Sequence, residues 1–497
     1  MTNDNQNPNS NPNPNPNPNQ NPNLIIINAY VLTMEGKGVG MIEDGAVAIK
    51  GNKIEAVGPT KQILADYSSK ADEVIDATNK LIMPGLIDSH IHTGLGILRG
   101  VAQDMHNWMQ DGLWPFMKHV TPEDSKKGSM MNIIEGIKAG TTTFCDYDSN
   151  MNQLVQNYVA VGARARVAEL INEIPDDIGD LPVGELYPFH PEIGNRKLQN
   201  NLELLKKWNG AENGRITSML GPHGPDMMSL ELLQEIKELA TKYDTRLHMH
   251  VAQGDREIDQ VFKRYGKRSI AFLDEIGYLN ERLLAVHLTE ATKEETEQVA
   301  RSGAAMINCS GSIGIIDGIV PPILEFIEAG GTAALGSDQA PGNNCNNMFN
   351  EMKFVAILNK VKRKDPSVFP ADQALRLATI DAAKAVGLEH EVGSIRVGKK
   401  ADLLFINLEE PSMSPVITKP VRNIVPNLVY SARGNEVESV MVDGKFIMKD
   451  RQMVTVDEKQ VIREVQQAAT AISEKVAADP KLPASTPLLA KMELGEL

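Results

Sequence analysis

The sequence predicts an α/β protein, a (β/α)8 TIM barrel joined to a small β-sandwich domain built from both chain ends. Three observations carry that expectation. Between residue 81 and about residue 345, eight apolar strand-like runs alternate with helix-like stretches. Short β-rich runs punctuated by Gly, Asn and Lys flank that block on both sides, and neither set alone could bury both faces of a sheet. Five of the eight runs also end in a histidine or an aspartate, and a barrel displays its chemistry at the C-terminal ends of its strands. Alternation by itself is equally compatible with a doubly wound sheet.

Residues 1–23 are almost entirely Asn, Pro and Gln, as in NPNSNPNPNPNPNQNPN. Alternating proline blocks helix and ladder formation and there is little apolar surface to bury, so a disordered tail is expected. The segment lacks the basic and apolar regions of a secretory signal. Residues 24–80 supply the first part of the sandwich, from LIIINAYVLT, GAVAIKGNKIEAVG and EVIDATNKLIM. LIIINAYVL is far shorter than the roughly 20 apolar residues that span a bilayer, and no other stretch is long enough, so no membrane partner is expected.

The barrel is expected over residues 81–394. Its strand candidates are LIMPGLIDSHIH, TTTFCDY, RARVAELI, ITSMLGPH, RLHMHVAQ, LLAVHLT, AAMINCS and TAALGSD, with helices such as those over 229–244 and 291–303 between them. Residues 395–455, with ADLLFINL and VESVMVDGKFIMKDRQMV, return to the sandwich. The last region, 456–497, reads as a helical extension. Its amphipathic run at 457–479 could pack on the barrel or on a neighbouring subunit, and a homo-oligomer, dimer or tetramer, is expected.

Composition narrows the partners. A net charge of −15 argues against nucleic acid or anionic lipid, because phosphate binding needs clustered Lys and Arg. The three cysteines, Cys145, Cys309 and Cys345, form no CxxC pair and no disulfide framework, which fits a cytoplasmic protein. A small-molecule substrate is the remaining expectation.

The strand ends carry the chemistry. His90 and His92 close the first strand, and side chains two apart on a strand share a face, so both imidazoles can reach one ion. His223 follows the fourth strand, His248 and His250 close the fifth, His287 the sixth and Asp338 the eighth. Imidazole and carboxylate donors suit a divalent ion, Zn²⁺ first, with Fe²⁺ or Mn²⁺ as alternatives. His106, His119, His190 and His390 fall outside the strand ends and read as ordinary polar residues.

PGLIDSHIHTGLGILRG resembles the opening motif of the amidohydrolase superfamily. LRGVAQDMHNWMQDGLWP, GPHGPDMMS, RLHMHVAQ, AVHLT and GSDQAPGNNCNNMFNEMK resemble its later blocks in order, and AAKAVGLEHEVGSIRVGKKADLLFINL its return into the sandwich. LRGVAQDMHNWMQDGLWP looks like the corresponding segment of the chlorohydrolase and aminohydrolase branch, which includes atrazine chlorohydrolase, S-adenosylhomocysteine deaminase and guanine deaminase. The resemblance implies that His90, His92, His250 and Asp338 ligate the metal, that His287 contacts the activated water or the substrate, and that His223 binds the substrate. RARVAELI has no lysine where binuclear members carry a carboxylated one, which implies one metal. Asp338 would take a proton from the water, and His287 would orient it or stabilise the tetrahedral intermediate.

The chain departs from the family at Gln253. Deaminating members carry Glu there, three residues after the fifth-strand histidine, and use it to protonate the ring nitrogen beside the attacked carbon. A neutral amide cannot carry that proton, and loss of a general acid typically removes ~10²–10⁴ in rate. The branch resemblance nonetheless implies an aminohydrolase or deaminase of a small N-heterocycle. The alternative is hydrolysis of an amide, urea, thiocarbamate or carbon–halide bond, and the remote one is an inactive binding relative. Asp255 is a candidate substitute carboxylate, though its setting in GDREIDQ reads as a solvated or helix-capping residue. Trp108 and Trp114 could stack on a flat substrate or pack the barrel end. Cys309 and Cys345 read as bystanders.

Overall fold

In the computed structural model, residues 23–175, 184–479 and 487–496 are described. All of the Asn/Pro-rich tail except Asn23 therefore lies outside the described residues. The chain begins with β1 (Leu24–Leu32), β2 (Met41–Lys50), β3 (Lys53–Pro59), β4 (Glu73–Asp76) and β5 (Lys80–Pro84). These are followed by β6 (Leu86–His92), β7 (Thr141–Asp148), β8 (Arg164–Ile171), β9 (Ile216–Ser218), β10 (Gly221–Pro222) and β11 (Leu247–Val251). Then come β12 (Leu283–His287), β13 (Ala305–Asn308), β14 (Thr332–Leu335) and β15 (Asp338–Gln339). The chain returns through β16 (Leu403–Asn407), β17 (Val437–Val442), β18 (Lys445–Lys449) and β19 (Gln452–Met453).

Both chain ends do share one small sheet, of nine strands in the order β19-β18-β17-β16-β5-β1-β2-β3, with β4 beside β1. The hydrogen bonding is continuous, so the expected sandwich is one sheet curled on itself. Lys53 at the start of β3 bridges to Lys400 just before β16, although three strands separate β3 from β16 in the sheet. The enclosed core draws Ile26, Val31, Val47 and Ile49 from one chain end and Leu403, Phe405 and Met441 from the other.

One expected strand proves to be two. LIMPGLIDSHIH divides at Gly85, with β5 pairing in the curled sheet and β6 opening the barrel. The chain can turn there because residue 85 has no side chain, for a Cβ would lie 1.9 Å from Thr142 Oγ1. The barrel strands are all parallel. One set runs β10-β8-β7-β6-β15 with β9 beside β8, and the other runs β11-β12-β13-β14. Leu220 and Leu247 bridge the two sets, helped by bonds from His248 N–H to Leu220 O (2.9 Å) and from His250 N–H to His223 O (3.1 Å). On the other side Asp338 registers with Ile91, which brings the eighth strand, split into β14 and β15, against the first.

The strands β6, β7, β11, β12 and β13 are buried along their whole length, as expected of parallel strands covered on both faces. The helices between them read as the sequence predicts. Leu230–Lys242 buries Leu232, Leu233, Ile236 and Ala240 at helical spacing and is capped by Ser229. Lys293–Arg301 starts with a capping box between Thr292 and Glu295. The C-terminal helix Glu458–Ala477 packs on the barrel, its Val465, Ala468, Ile472 and Val476 clustering with Ile97, Leu98 and Leu113 just after the first strand.

Candidate metal centre

The ends of β6, β11, β12 and β15 bring five side chains to one point. Donor atoms of His90, His92 and Asp338 lie within 4.8 Å of one another, as do those of His90, His250 and His287. His90 Nε2 and His92 Nε2 are each 3.5 Å from Asp338 Oδ1, and His250 Nε2 is 3.3 Å from His90 Nε2. Every one of these residues is buried.

Hydrogen bonding assigns the tautomers so that the Nε2 lone pairs converge. His90 Nδ1 lies 2.8 Å from His248 Nε2, and with Nδ1–H donating there, the far nitrogen of His90 is left as a donor to metal. His248 is thus the residue that orients His90. His250 Nδ1–H donates to His223 O (3.1 Å), and His92 is bonded to the Tyr147 backbone. Burial, with the neighbouring imidazoles, drives His90 and His250 well below the usual histidine range, and burial lowers His92 as well. Neutral imidazoles are the form that ligates metal.

The carboxylate is held with equal care. Asp338 Oδ2 accepts from Ser312 Oγ (2.6 Å), and Asn346 Nδ2 donates to its backbone carbonyl (3.0 Å). Asp88 joins the first and last strands, accepting from Ser337 N–H (2.9 Å), from Ser337 Oγ and from His90 N–H (3.4 Å). Close approach is possible because residue 336 is glycine, where a Cβ would meet His90 at 2.8 Å. Asp338 (φ +61°) and His287 (φ +78°) both take left-handed backbone conformations, uncommon for residues other than glycine and concentrated at functional sites.

Among the described residues His287 has no hydrogen-bond partner at either ring nitrogen although it is fully buried, and its ring stacks on His250 at 5.3 Å. Such an orphaned polar ring fits an ion or its bound water as the missing partner. His223 is prepared for a ligand in another way. Lys197 Nζ donates to Asn172 Oδ1 (2.9 Å), and Asn172 Nδ2 donates to His223 Nδ1 (2.9 Å), which leaves the His223 Nε2–H as a donor. The donor set of three imidazoles, one carboxylate and one adjacent free imidazole suits one divalent ion with a position left for water.

Beside this floor a cleft of about 450 Å³ runs over Gln253 and past Trp108, Trp114 and Tyr187. Gln253 stands immediately before the helix Gly254–Tyr265 and adds no side-chain cap. The capping falls instead to buried Glu257, whose carboxylate accepts from Ala252 N–H (2.8 Å) and Gln253 N–H (2.9 Å). Asp255 is exposed in the first helical turn, which agrees with a solvated role and not with a cap. Burial raises both Cys309 and Cys345, the latter to about 11, so neither offers a thiolate. His119, His190 and His390 stand apart from the cluster, beside Asp479, Glu192 and Glu389 respectively. His106 lies on the cleft rim.

Known proteins resemble the chain over nearly its whole length. It is 34% identical over 457 residues to the 5'-deoxyadenosine deaminase of Methanosarcina mazei, covering 91% of this chain and 99% of that protein. It is 32% identical over 444 residues to the 5-methylthioadenosine/S-adenosylhomocysteine deaminase of Moorella thermoacetica, covering 89% and 98% respectively. Among solved structures, an adenosine deaminase from Xanthomonas campestris with bound zinc superposes with a TM-score of 0.81 at 27% identity, covering 91% of this chain and 99% of that one. With the amidohydrolase family profile also matching residues 81–447, the chain belongs to the amidohydrolase family.

Proposed function

We propose that this protein is a zinc-dependent deaminase of an adenine nucleoside, in the range of 5'-deoxyadenosine, methylthioadenosine and S-adenosylhomocysteine. The observation that carries the reading is the convergence of His90, His92 and His250 Nε2 with Asp338 Oδ1, in a chain similar along its length to deaminases of those compounds. A bound zinc ion would supply Lewis acidity and bring its water's pKa towards roughly 7. The chain's own groups do the rest. His90, His92, His250 and Asp338 hold the ion. Asp338 accepts the first proton of the water and delivers it to the departing amine. His287 steadies the oxygen as it bonds to carbon, and His223 donates its Nε2–H to the bound substrate. Trp108, on the cleft wall, offers a face on which a flat purine can stack.

The departure at Gln253 favours a second reading, hydrolysis of a bond that needs no ring protonation. One screen separates the two. Zinc-loaded protein is supplied with adenine nucleosides, s-triazines, ureas and anilides, and ammonia, amine and chloride release are measured separately. Ammonia from adenine nucleosides supports the deaminase, and chloride or amine release without it supports the second reading. The cytoplasmic setting and homo-oligomeric state expected from the sequence belong to the same proposal, and sedimentation would test the latter.

A further inference from the structure

If the site deaminates a ring, a proton must reach the ring nitrogen beside the attacked carbon, and Gln253 cannot bring it. The floor offers no substitute, because its imidazoles are ligands or are held neutral by burial. Glu257, the nearest buried carboxyl, is already engaged by two backbone N–H groups. Four carboxyl groups remain on the cleft: Glu185, Asp255, Asp259 and Asp317. Glu185 and Asp255 are exposed to water, and Asp259 is tied to Lys263 at 2.6 Å. Asp317 differs from all three. It stands at the end of the short helix Ser310–Ile316 after β13, lines the same cleft as Gln253, and its Oδ2 is buried with no hydrogen-bond partner among the described residues.

We propose that Asp317 is the proton carrier of this site, replacing the carboxyl group that Gln253 lacks. The assignment rests on the deaminase reading above. As the water oxygen bonds to the carbon bearing the amine, the electron pair of the ring C=N bond moves to nitrogen and takes the proton from the Asp317 carboxyl group. The amine then leaves as ammonia with the proton held by Asp338, breaking the C–N bond. The hydroxyl proton of the tetrahedral carbon returns to Asp317, so the product is a ring lactam and the acid is regenerated. The surroundings suit this role, since burial and the charges of Glu290, Asp338 and Asp255, opposed by Arg256, push the carboxyl up to about 6.

The test is ammonia release by zinc-loaded D317N, D255N, D259N and the double variant Q253E/D317N, followed across pH with metal content and melting temperature recorded. For wild type, kcat/KM should fall as pH rises through about 6, because the protonated acid is the active form. D317N should keep its metal, lose ~10²-fold in kcat with KM within a few-fold, and lose that pH limb. Q253E/D317N should regain at least ~10-fold, a rescue that a merely structural role would not allow. D317N with wild-type kcat, or D255N or D259N showing the loss instead, overturns the assignment while leaving the deaminase reading in place. Wild type that releases no ammonia from any adenine nucleoside overturns both.

Discussion

The floor of the site and the wall of the cleft are built on opposite principles. The floor rests on strand ends, its side chains are buried, and most ring nitrogens are assigned by a hydrogen bond, as with His90 to His248 and His250 to His223 O. The wall comes from the segments that follow strands, around Trp108, Tyr187, Gln253 and Asp317, and much of it is only half-buried. Rigid strands hold ligands within the few tenths of an ångström that coordination demands, whereas loops can change without disturbing the barrel. The floor therefore sets the class of reaction and the wall sets the substrate.

This contrast can be broken most directly at the floor. H90A or D338A should abolish measurable turnover, a loss of more than ~10³-fold, together with bound zinc read by elemental analysis. A variant that keeps both its zinc and its rate would show that the floor is not the metal centre. Replacing His287, which has no hydrogen-bond partner at either ring nitrogen among the described residues, sharpens the division within the floor. H287N should retain zinc and lose ~10²–10³-fold in kcat, as for removal of one stabilising donor. Loss of zinc instead would make His287 a ligand.

The wall should respond differently. W108A should raise KM by about 10-fold, consistent with ~1–3 kcal/mol for stacking a base, and leave kcat and metal content close to wild type. An equal loss in kcat would place Trp108 in the chemistry. The smallest effect concerns Glu351, buried behind the floor, whose carboxylate accepts from Gly311 N–H (3.0 Å) and Asn343 Nδ2 (2.8 Å). Burial pushes it up to about 8, so the folded state holds a proton that the unfolded chain releases near its ordinary value of 4.5. Its contribution is thus complete below about 4.5 and is lost as pH rises towards 8, with a slope of up to about 1.4 kcal/mol per pH unit. In denaturant titrations, E351Q should flatten that slope relative to wild type, although losing one acceptor lowers its overall stability by ~1–3 kcal/mol. An unchanged slope would remove Glu351 from the list of buried acids that titrate with folding.

The candidate metal site was legible because strand geometry is local. A two-residue period puts His90 and His92 on one face, the barrel's rule about strand ends adds His223, His248, His250, His287 and Asp338, and the family resemblance implies which of them ligate. The split at Gly85 was not legible, since LIMPGLIDSHIH reads as one strand-like run and only the crowding by Thr142 shows where one sheet ends and the other begins. Asp317 was hidden for a similar reason. In IIDGIVPP an aspartate before glycine reads as a turn residue, and nothing local says that its carboxylate borders the cleft of Gln253.

By itself the sequence determined the barrel, the joining of the two chain ends in one small β domain, and the gathering of histidines and an aspartate at the strand ends. These follow from periodicity and residue chemistry, which act over a few neighbours. Tertiary structure alone decided that His248 orients His90, that Glu257 is spent on backbone N–H groups, and that Asp317 borders the cleft with its Oδ2 buried and without a hydrogen-bond partner among the described residues. Each of those depends on which groups, 158 residues apart in the first case, come within hydrogen-bonding distance or are left without a partner, and burial then fixes the protonation state.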